Sequence, residues 1–197
     1  MAADNVLSAS KLEQFRHYLA LLARMQIGPR YQAKIAASDI VQQTLIDAHQ
    51  QREQFRGTTD GERAAWLKRM LSCNLADAFR AAGRQKRDLS REQSIEQAID
   101  MSCTRLEVWL EAVQTSPSGR AVHNEQLLRL AAALDKLLDA EREAVEWHHL
   151  HGCSLSEVSE HLGRSEAAVA GLLRRGLKKL RKELQEPSEE NPSLSGR

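Results

Sequence analysis

The residues best equipped for chemistry lie in the run SLSEVSEHLGRSEAAVAGLLRRGLKKLRKEL, from Ser154 to Leu184. On a helix drawn at about 100° per residue, Arg174, Arg175, Lys178, Lys179, Arg181 and Lys182 take one side. Val169, Leu172, Leu173, Leu177, Leu180 and Leu184 form an apolar stripe on the other. Such a helix can grip a polyanion with its cations while its leucines hold it to the rest of the protein. Ser154 and Glu157 have the spacing of a capping box, Gly163 suits the end of a short helix, and Ser165 suits the start of the next. A short helix, a tight turn and a longer basic helix make the helix-turn-helix pattern, whose second helix enters the DNA major groove. The same charges would suit the solvated face of an ordinary bundle helix; the capped, Gly-broken spacing favours DNA. The contact candidates are Arg164, Ser165, Ala167, Ala168, Gly171, Arg174, Arg175, Lys178 and Lys179.

Other reactive residue types do not form sites. His148, His149 and His151 stand beside Cys153, and imidazole and thiolate are zinc ligands. Yet His148 and His149 project about 100° apart on a helix, and no second Cys or His pair completes a tetrahedron. Cys73, Cys103 and Cys153 lack the spacing of a disulfide framework. No nucleophile stands with a base, no loop is built to cradle phosphate, and no carboxylate pair has a catalytic context. The expectation is a protein that is not an enzyme and uses no metal or cofactor.

The elements that must position these residues are helical. The chain has 197 residues, enough for one or two small domains, and a net charge of +1, so DNA affinity has to come from local patches. Gly, Pro and aromatics are scarce, Ala, Leu, Glu, Gln and Arg abound, and no alternating strand pattern is found. The expected fold is all-α. No apolar run approaches a membrane span, no signal-peptide pattern opens the chain, and the cysteines are isolated; a reduced, cytoplasmic setting is expected.

From the N-terminus, a helix is predicted from about Ser8 to Ile27, stopped by Gly28-Pro29. Arg30 to Ala37 reads as a basic connector, and Ser38 as the cap of a helix burying Ile40, Val41, Leu45 and Ala48. Asp39, Gln42, Gln43 and Asp47 lie outside that stripe, as a solvated face or a docking surface. A loop from Gln51 to Gly61 holds Phe55 and Arg56. Thr59 and Glu62 then form a second capping box, opening a helix to about Ala82 with Leu67, Met70, Leu71, Leu75, Ala78 and Phe79 as its core. Asn74 falls within that apolar arc and needs hydrogen-bond partners. Arg80, Arg84, Lys86 and Arg87 form a basic cluster larger than the helix dipole requires. Residues 89–118 lose the helical rhythm and read as an acidic, irregular linker with some helix around Leu106 to Val113 and a loop at Thr115 to Gly119. A helix bearing Leu127, Leu130, Ala131, Leu134 and Leu138 follows, then one capped by Asp139 and running to about His151, with Trp147 in the core. Trp109 is a candidate for packing on the N-terminal domain or on a partner. Residues 186–197 are polar and read as a disordered tail.

In this order the motifs resemble a known family. Asp39-Ile40-Val41-Gln42-Gln43-Thr44-Leu45, then Ala65-Trp66-Leu67 through Asn74, precede Leu134 to Leu137, Arg142-Glu143-Ala144, and Gly152 through Ser159. The chain is similar to a bacterial RNA polymerase sigma factor of the extracytoplasmic-function (ECF) group of the sigma-70 family. The resemblance implies a region 2-like helical domain at 7–88, a linker at 89–118, and a region 4-like helix-turn-helix domain at 119–185. It implies that Asp39, Gln42, Gln43 and Asp47 dock on core RNA polymerase, whose β′ clamp and β flap would be contacted. It further implies that Phe55, Arg56, Trp66, Asn74, Arg80, Arg84, Lys86 and Arg87 bind the minus-ten promoter element, the loop holding a flipped base. The helix-turn-helix would read the minus-thirty-five element, and the linker would thread toward the polymerase cleft. An anti-sigma factor is a possible further partner. A conventional helix-turn-helix regulator and a sigma-like protein that binds partners without initiating are the competing readings.

This chain departs from the family pattern at Gln43 and Leu45, where many relatives carry an acid and an aromatic, and at Ala170-Gly171-Leu172, where Lys-Ser-Arg is common. Ala167, Ala168 and Gly171 make no bidentate bonds to base edges, though Ala can touch a thymine methyl. Affinity should therefore be largely electrostatic, with sequence read through DNA shape. If three or four of Arg164, Arg174, Arg175, Lys178 and Lys179 touch phosphates, the isolated DNA-binding domain will show a log–log salt slope of roughly −3 to −4, and a slope near zero would exclude that mode.

Overall fold

The computed structural model of the chain describes residues 9–27, 31, 33–83, 89–113 and 120–185. Nine α-helices occur among them: α1 (Ala9–Glu13), α2 (Arg16–Gln26), α3 (Ala37–Gln50), α4 (Asp60–Gly83), α5 (Leu89–Val113), α6 (Arg120–Asp135), α7 (Asp139–Val145), α8 (Leu155–Leu162) and α9 (Glu166–Gln185). No strand occurs among the described residues, so the all-α expectation holds. No described helix is long and apolar enough to cross a membrane. Arg84, Lys86 and Arg87, the Thr115 to Gly119 loop, Gly28-Pro29 and the tail 186–197 lie outside the described residues.

The chain is organised around α2, which packs on α3, α4, α5 and α6. Its Leu19, Leu21, Leu22 and Ala23 are fully buried. Each such leucine contributes roughly 1.5–3 kcal/mol relative to an exposed one. Helix α3 buries Val41, Leu45 and Ala48, and α4 buries Leu67, Leu71, Leu75 and Phe79. These are the stripes expected from the sequence, with Ile40, Met70 and Ala78 only half-buried at their edges.

Several boundaries differ from expectation. The first helix is not continuous: it breaks between Glu13 and Arg16, where the Phe15 ring turns into the core at 1% exposure. Ser38 is not a cap, because α3 already starts at Ala37 behind an extended Ala36. Asp139 likewise lies inside the first turn of α7, with Leu138 before it, and pairs with Arg142 at 2.6 Å. The helix expected to run to His151 keeps its regular pitch only to Val145, and Glu146–Leu150 follows as a π-helical turn. Trp147 is half-buried on that turn, its ring stacked 4.9 Å from that of His151.

The largest difference lies at 89–118. Instead of an irregular linker, residues 89–113 form a 25-residue helix. Ile95, Ile99, Ser102, Cys103, Leu106, Trp109 and Leu110 are buried along one side. That spacing is helical, but the small polar pair Ser102-Cys103 breaks the apolar run, and the acids around it hide the stripe. Helix α5 packs on α2 and α4, and also on α6 and the π-helical turn. It is therefore a structural strut between the two halves of the molecule.

Polar contacts reinforce the same seam. The Arg24 guanidinium donates to the Glu146 carboxylate at 2.8 Å and 3.1 Å. Asp135 lies 3.6 Å from Arg24 and 3.7 Å from Arg142, and its other oxygen is 3.0 Å from His17 Nδ1. Burial pushes the Glu146 carboxyl above the ordinary carboxylate range, against the pull of Arg24. The Arg105 guanidinium donates to the Leu150 carbonyl at 3.3 Å. Trp109 stacks on His149 with ring centroids 5.5 Å apart, so this indole meets the second half of the chain.

Burial, and next the neighbouring His148, hold the His149 imidazole below its ordinary value. The folded state then binds this proton less tightly than the unfolded chain does. Stability is present above the unfolded imidazole range and is lost as pH falls through it toward the lower folded value. His149→Phe keeps an aromatic ring on Trp109 but cannot titrate. The loss of urea-unfolding midpoint between about pH 7 and 5.5 should be smaller in this variant than in the native chain.

Candidate nucleic-acid interface

The helix pair forms for the reasons its capping residues supply. The Ser154 amide donates to Glu157 Oε2 at 2.7 Å and the Glu157 amide to Ser154 Oγ at 3.3 Å, completing the capping box of α8. Gly163 ends α8 in the left-handed region (φ 60°), and the Arg164 amide reaches back to the Ser159 carbonyl at 3.0 Å. The Ala168 amide donates to Ser165 Oγ at 3.3 Å, so Ser165 starts α9 and its side chain is committed to that role. Val158, Val169 and Leu180 are fully buried, Leu172 and Leu173 nearly so, and Leu177 and Leu184 are half-buried.

Helix α9 packs on α6, α7 and α8. Its approach to α7 depends on Gly176, where an added Cβ would sit 3.0 Å from Val145 Cγ2 and 3.6 Å from the Glu141 carbonyl. Gly176 lies in the middle of the apolar arc, and a glycine there is a readable sign of a close helix contact.

The exposed side carries the expected set. Ala167, Ala168, Arg164, Arg174 and Lys178 are exposed and Gly171 is half-buried. On the helical wheel Ala167, Gly171, Arg174 and Lys178 fall in one row, small residues first and cations behind. Among the described residues Arg174 and Lys178 make no ion pair, whereas Arg175 and Lys179 do. Lys179 Nζ lies 2.6 Å from Glu141 Oε2 and Arg175 Nε 3.5 Å from Glu141 Oε1. Glu141 is 2% exposed. An uncompensated carboxylate at such depth costs about 3–5 kcal/mol, so its attraction for these cations is strong. A carboxylate in an acid-rich stretch 34 or more positions away carried no sequence signal of this role.

In the first half, the candidates split into those held internally and those left open. Asp39, Gln42 and Gln43 are exposed on α3. Asp47 is half-buried, accepting from Gln43 Nε2 at 2.8 Å and from Asn74 Nδ2 at 2.9 Å. Asn74 also donates to Thr44 Oγ1 at 3.1 Å, so its place in the apolar arc is satisfied by α3. Phe55 and Trp66 pack with ring centroids 5.1 Å apart, and Arg56 is exposed beside them. The Phe55 ring covers Gly57, where a Cβ would lie 2.5 Å from Cζ. The second capping box is present, with the Thr59 amide donating to Glu62 at 3.0 Å and the Glu62 amide to Thr59 Oγ1 at 3.2 Å. Arg80 is half-buried and paired with Asp77. The structure thus joins the docking and minus-ten candidates through Asp47 and Asn74, and leaves the α9 candidates on a separate surface.

The histidines near the turn are engaged in packing. His148 Nδ1 lies 2.7 Å from the Cys153 carbonyl, and the His161 ring packs tilted against Trp147 with centroids 3.9 Å apart.

Residues 127–180 match the family model described as Sigma-70, region 4. The match runs from α6 through α7, the π-helical turn and α8 to most of α9, so the capped helix pair and its basic face lie inside it. Over this span the chain is similar to sigma-70 region 4. No curated protein matches the chain.

Positive φ at Gly163 sets the angle between the two helices. Gly163→Ala should destabilise the fold by about 1–2 kcal/mol, the strain of a left-handed L-residue. Urea unfolding followed by circular dichroism checks this; an unchanged midpoint would show that the turn can relax.

Proposed function

We propose that the chain is an ECF-type sigma factor, which binds core RNA polymerase, recognises promoter DNA and promotes strand opening at initiation. The observation that carries this reading is the coincidence of the region 4 match with a helix pair whose cationic row is solvent-exposed. In the proposal, residues 119–185 are the region 4-like domain and residues 7–88 the region 2-like domain. Arg174, Lys178 and Arg164 grip phosphates near the minus-thirty-five element, and Ala167, Ala168 and Gly171 let the backbone approach closely. Asp39, Gln42 and Gln43 are the polymerase-docking face, for which their exposure speaks. Phe55, Arg56 and Trp66 suit capture of an unstacked base, since an aromatic pair flanked by a cation can hold one by stacking and charge. Contacts to the β′ clamp and β flap, control by an anti-sigma factor and action in the cytoplasm belong to the same proposal.

A second reading, a sigma-like protein that binds partners without initiating, has one observation in its favour. The segment that would thread the polymerase cleft is helix α5, buried along one side against both halves of the molecule. Mixing the purified chain with core polymerase and the host's promoters separates the readings. Specific initiation supports the sigma factor; stable binding without initiation supports the second reading. Absence of polymerase binding supports a conventional helix-turn-helix regulator.

The docking assignment has its own test. Replacing Asp39, Gln42 and Gln43 together by Ala should weaken polymerase binding at least ~10-fold, as expected when part of an interface's central contacts is truncated. Circular dichroism should show an intact fold, because all three side chains are exposed. Undiminished binding would remove this face from the interface.

A further inference from the structure

We propose that Glu141 partitions the cations of α9, withholding Arg175 and Lys179 from DNA and leaving Arg174 and Lys178 as the phosphate-gripping row. The inference rests on the DNA-binding reading above and concerns the regulation of that same surface. All four residues are exposed cations within one and a half turns of helix, with Arg175 and Lys179 nearer the apolar stripe on the wheel. The structure makes them unequal. Lys179 Nζ sits 2.6 Å from one Glu141 oxygen and Arg175 Nε 3.5 Å from the other, so a single carboxylate is shared between two cations.

The carboxylate has little access to water: Glu141 is 2% exposed, whereas Arg175 and Lys179 keep 56% and 48% of their side-chain exposure. Solvent can replace Glu141 as a partner for the cations far more easily than it can replace the cations as partners for Glu141. A surface phosphate competing for Arg175 and Lys179 would have to strand a buried charge, while Arg174 and Lys178 bear no such tie. Arg175 and Lys179 also anchor α9 to α7, where Gly176 brings the backbones close. Glu141 is thus a positioning residue: it orients α9 and sets how many of its charges a duplex meets.

The test is the salt dependence of binding by the full chain to a mixed-sequence DNA duplex between about 50 and 200 mM salt. With Arg164, Arg174 and Lys178 as the phosphate contacts, the native log–log slope should be near −3, at about −0.9 per contact. Glu141→Gln keeps the side chain's size and hydrogen-bonding capacity but frees both cations. Its slope should steepen by about 2, with tighter binding at the low-salt end. If this variant fails to fold, a comparison in the native background decides instead. Arg174→Gln with Lys178→Gln should flatten the slope by about 2, and Arg175→Gln with Lys179→Gln by less than half as much. An unchanged slope in folded Glu141→Gln, or equal flattening by the two double variants, overturns the partition. No salt-dependent binding by the native chain would instead overturn the DNA-binding reading itself.

Discussion

A helix with six cations among residues 174–182 can belong to a folded protein only if its other side is buried well enough to hold it. That constraint organises the second half of the chain. Val169, Leu172, Leu173 and Leu180 supply the buried side, and Gly176 removes the side chain that would keep α7 at a distance. The close contact brings Glu141 under the basic face, where it neutralises two of the charges nearest the core. Packing and electrostatics are therefore one problem here. The approach that maximises apolar contact also requires a carboxylate at the seam, and that carboxylate determines which cations stay available.

The same coupling recurs between the halves of the molecule. Helix α5 buries isoleucines, leucine and Trp109 along a seam also crossed by the Arg24–Glu146 pair. Replacing such a pair with apolar residues is often harmless, while removing one member is costly. The seam is thus sensitive to single changes and to protonation. Burial disfavours the charged forms of both Glu146 and His149, in opposite directions of pH. Even with the halves packed together, α9 rests on α6, α7 and α8, and its cationic row stays solvent-exposed.

The N-terminal end of α9 is poor in hydrogen-bonding side chains. Ala167 and Gly171 precede Arg174 and Lys178 in the same row, so the part of the helix that would lie deepest in a groove under the proposed function has the fewest hydrogen-bonding groups. Under the proposed function, close approach and charge would be favoured over base-by-base readout, and duplex shape and deformability would carry more of the specificity. Helix α8 supplies the rigid support: its N-terminal turn is locked by Ser154 and Glu157 and its exit by Gly163.

Local chemistry was legible in the sequence. Both capping boxes, the stop at Gly163, the start at Ser165, the apolar stripes of α3, α4 and α9 and the all-α class follow from residue type and spacing within a few turns. So did the need for partners at Asn74, although not their identity, Thr44 and Asp47. Helix α5 was legible in principle, because Ile95, Ile99, Leu106 and Trp109 keep helical spacing, but Ser102 and Cys103 interrupted the pattern. What only the tertiary structure decided are relations between distant residues: Arg24 with Glu146, Trp109 with His149, and Glu141 with Arg175 and Lys179. Sequence determines how a charge is presented on its own helix, because neighbours within a turn have fixed positions. Which charge is already spoken for depends on the element packed behind it, and that is set by the burial of apolar surface across the whole chain.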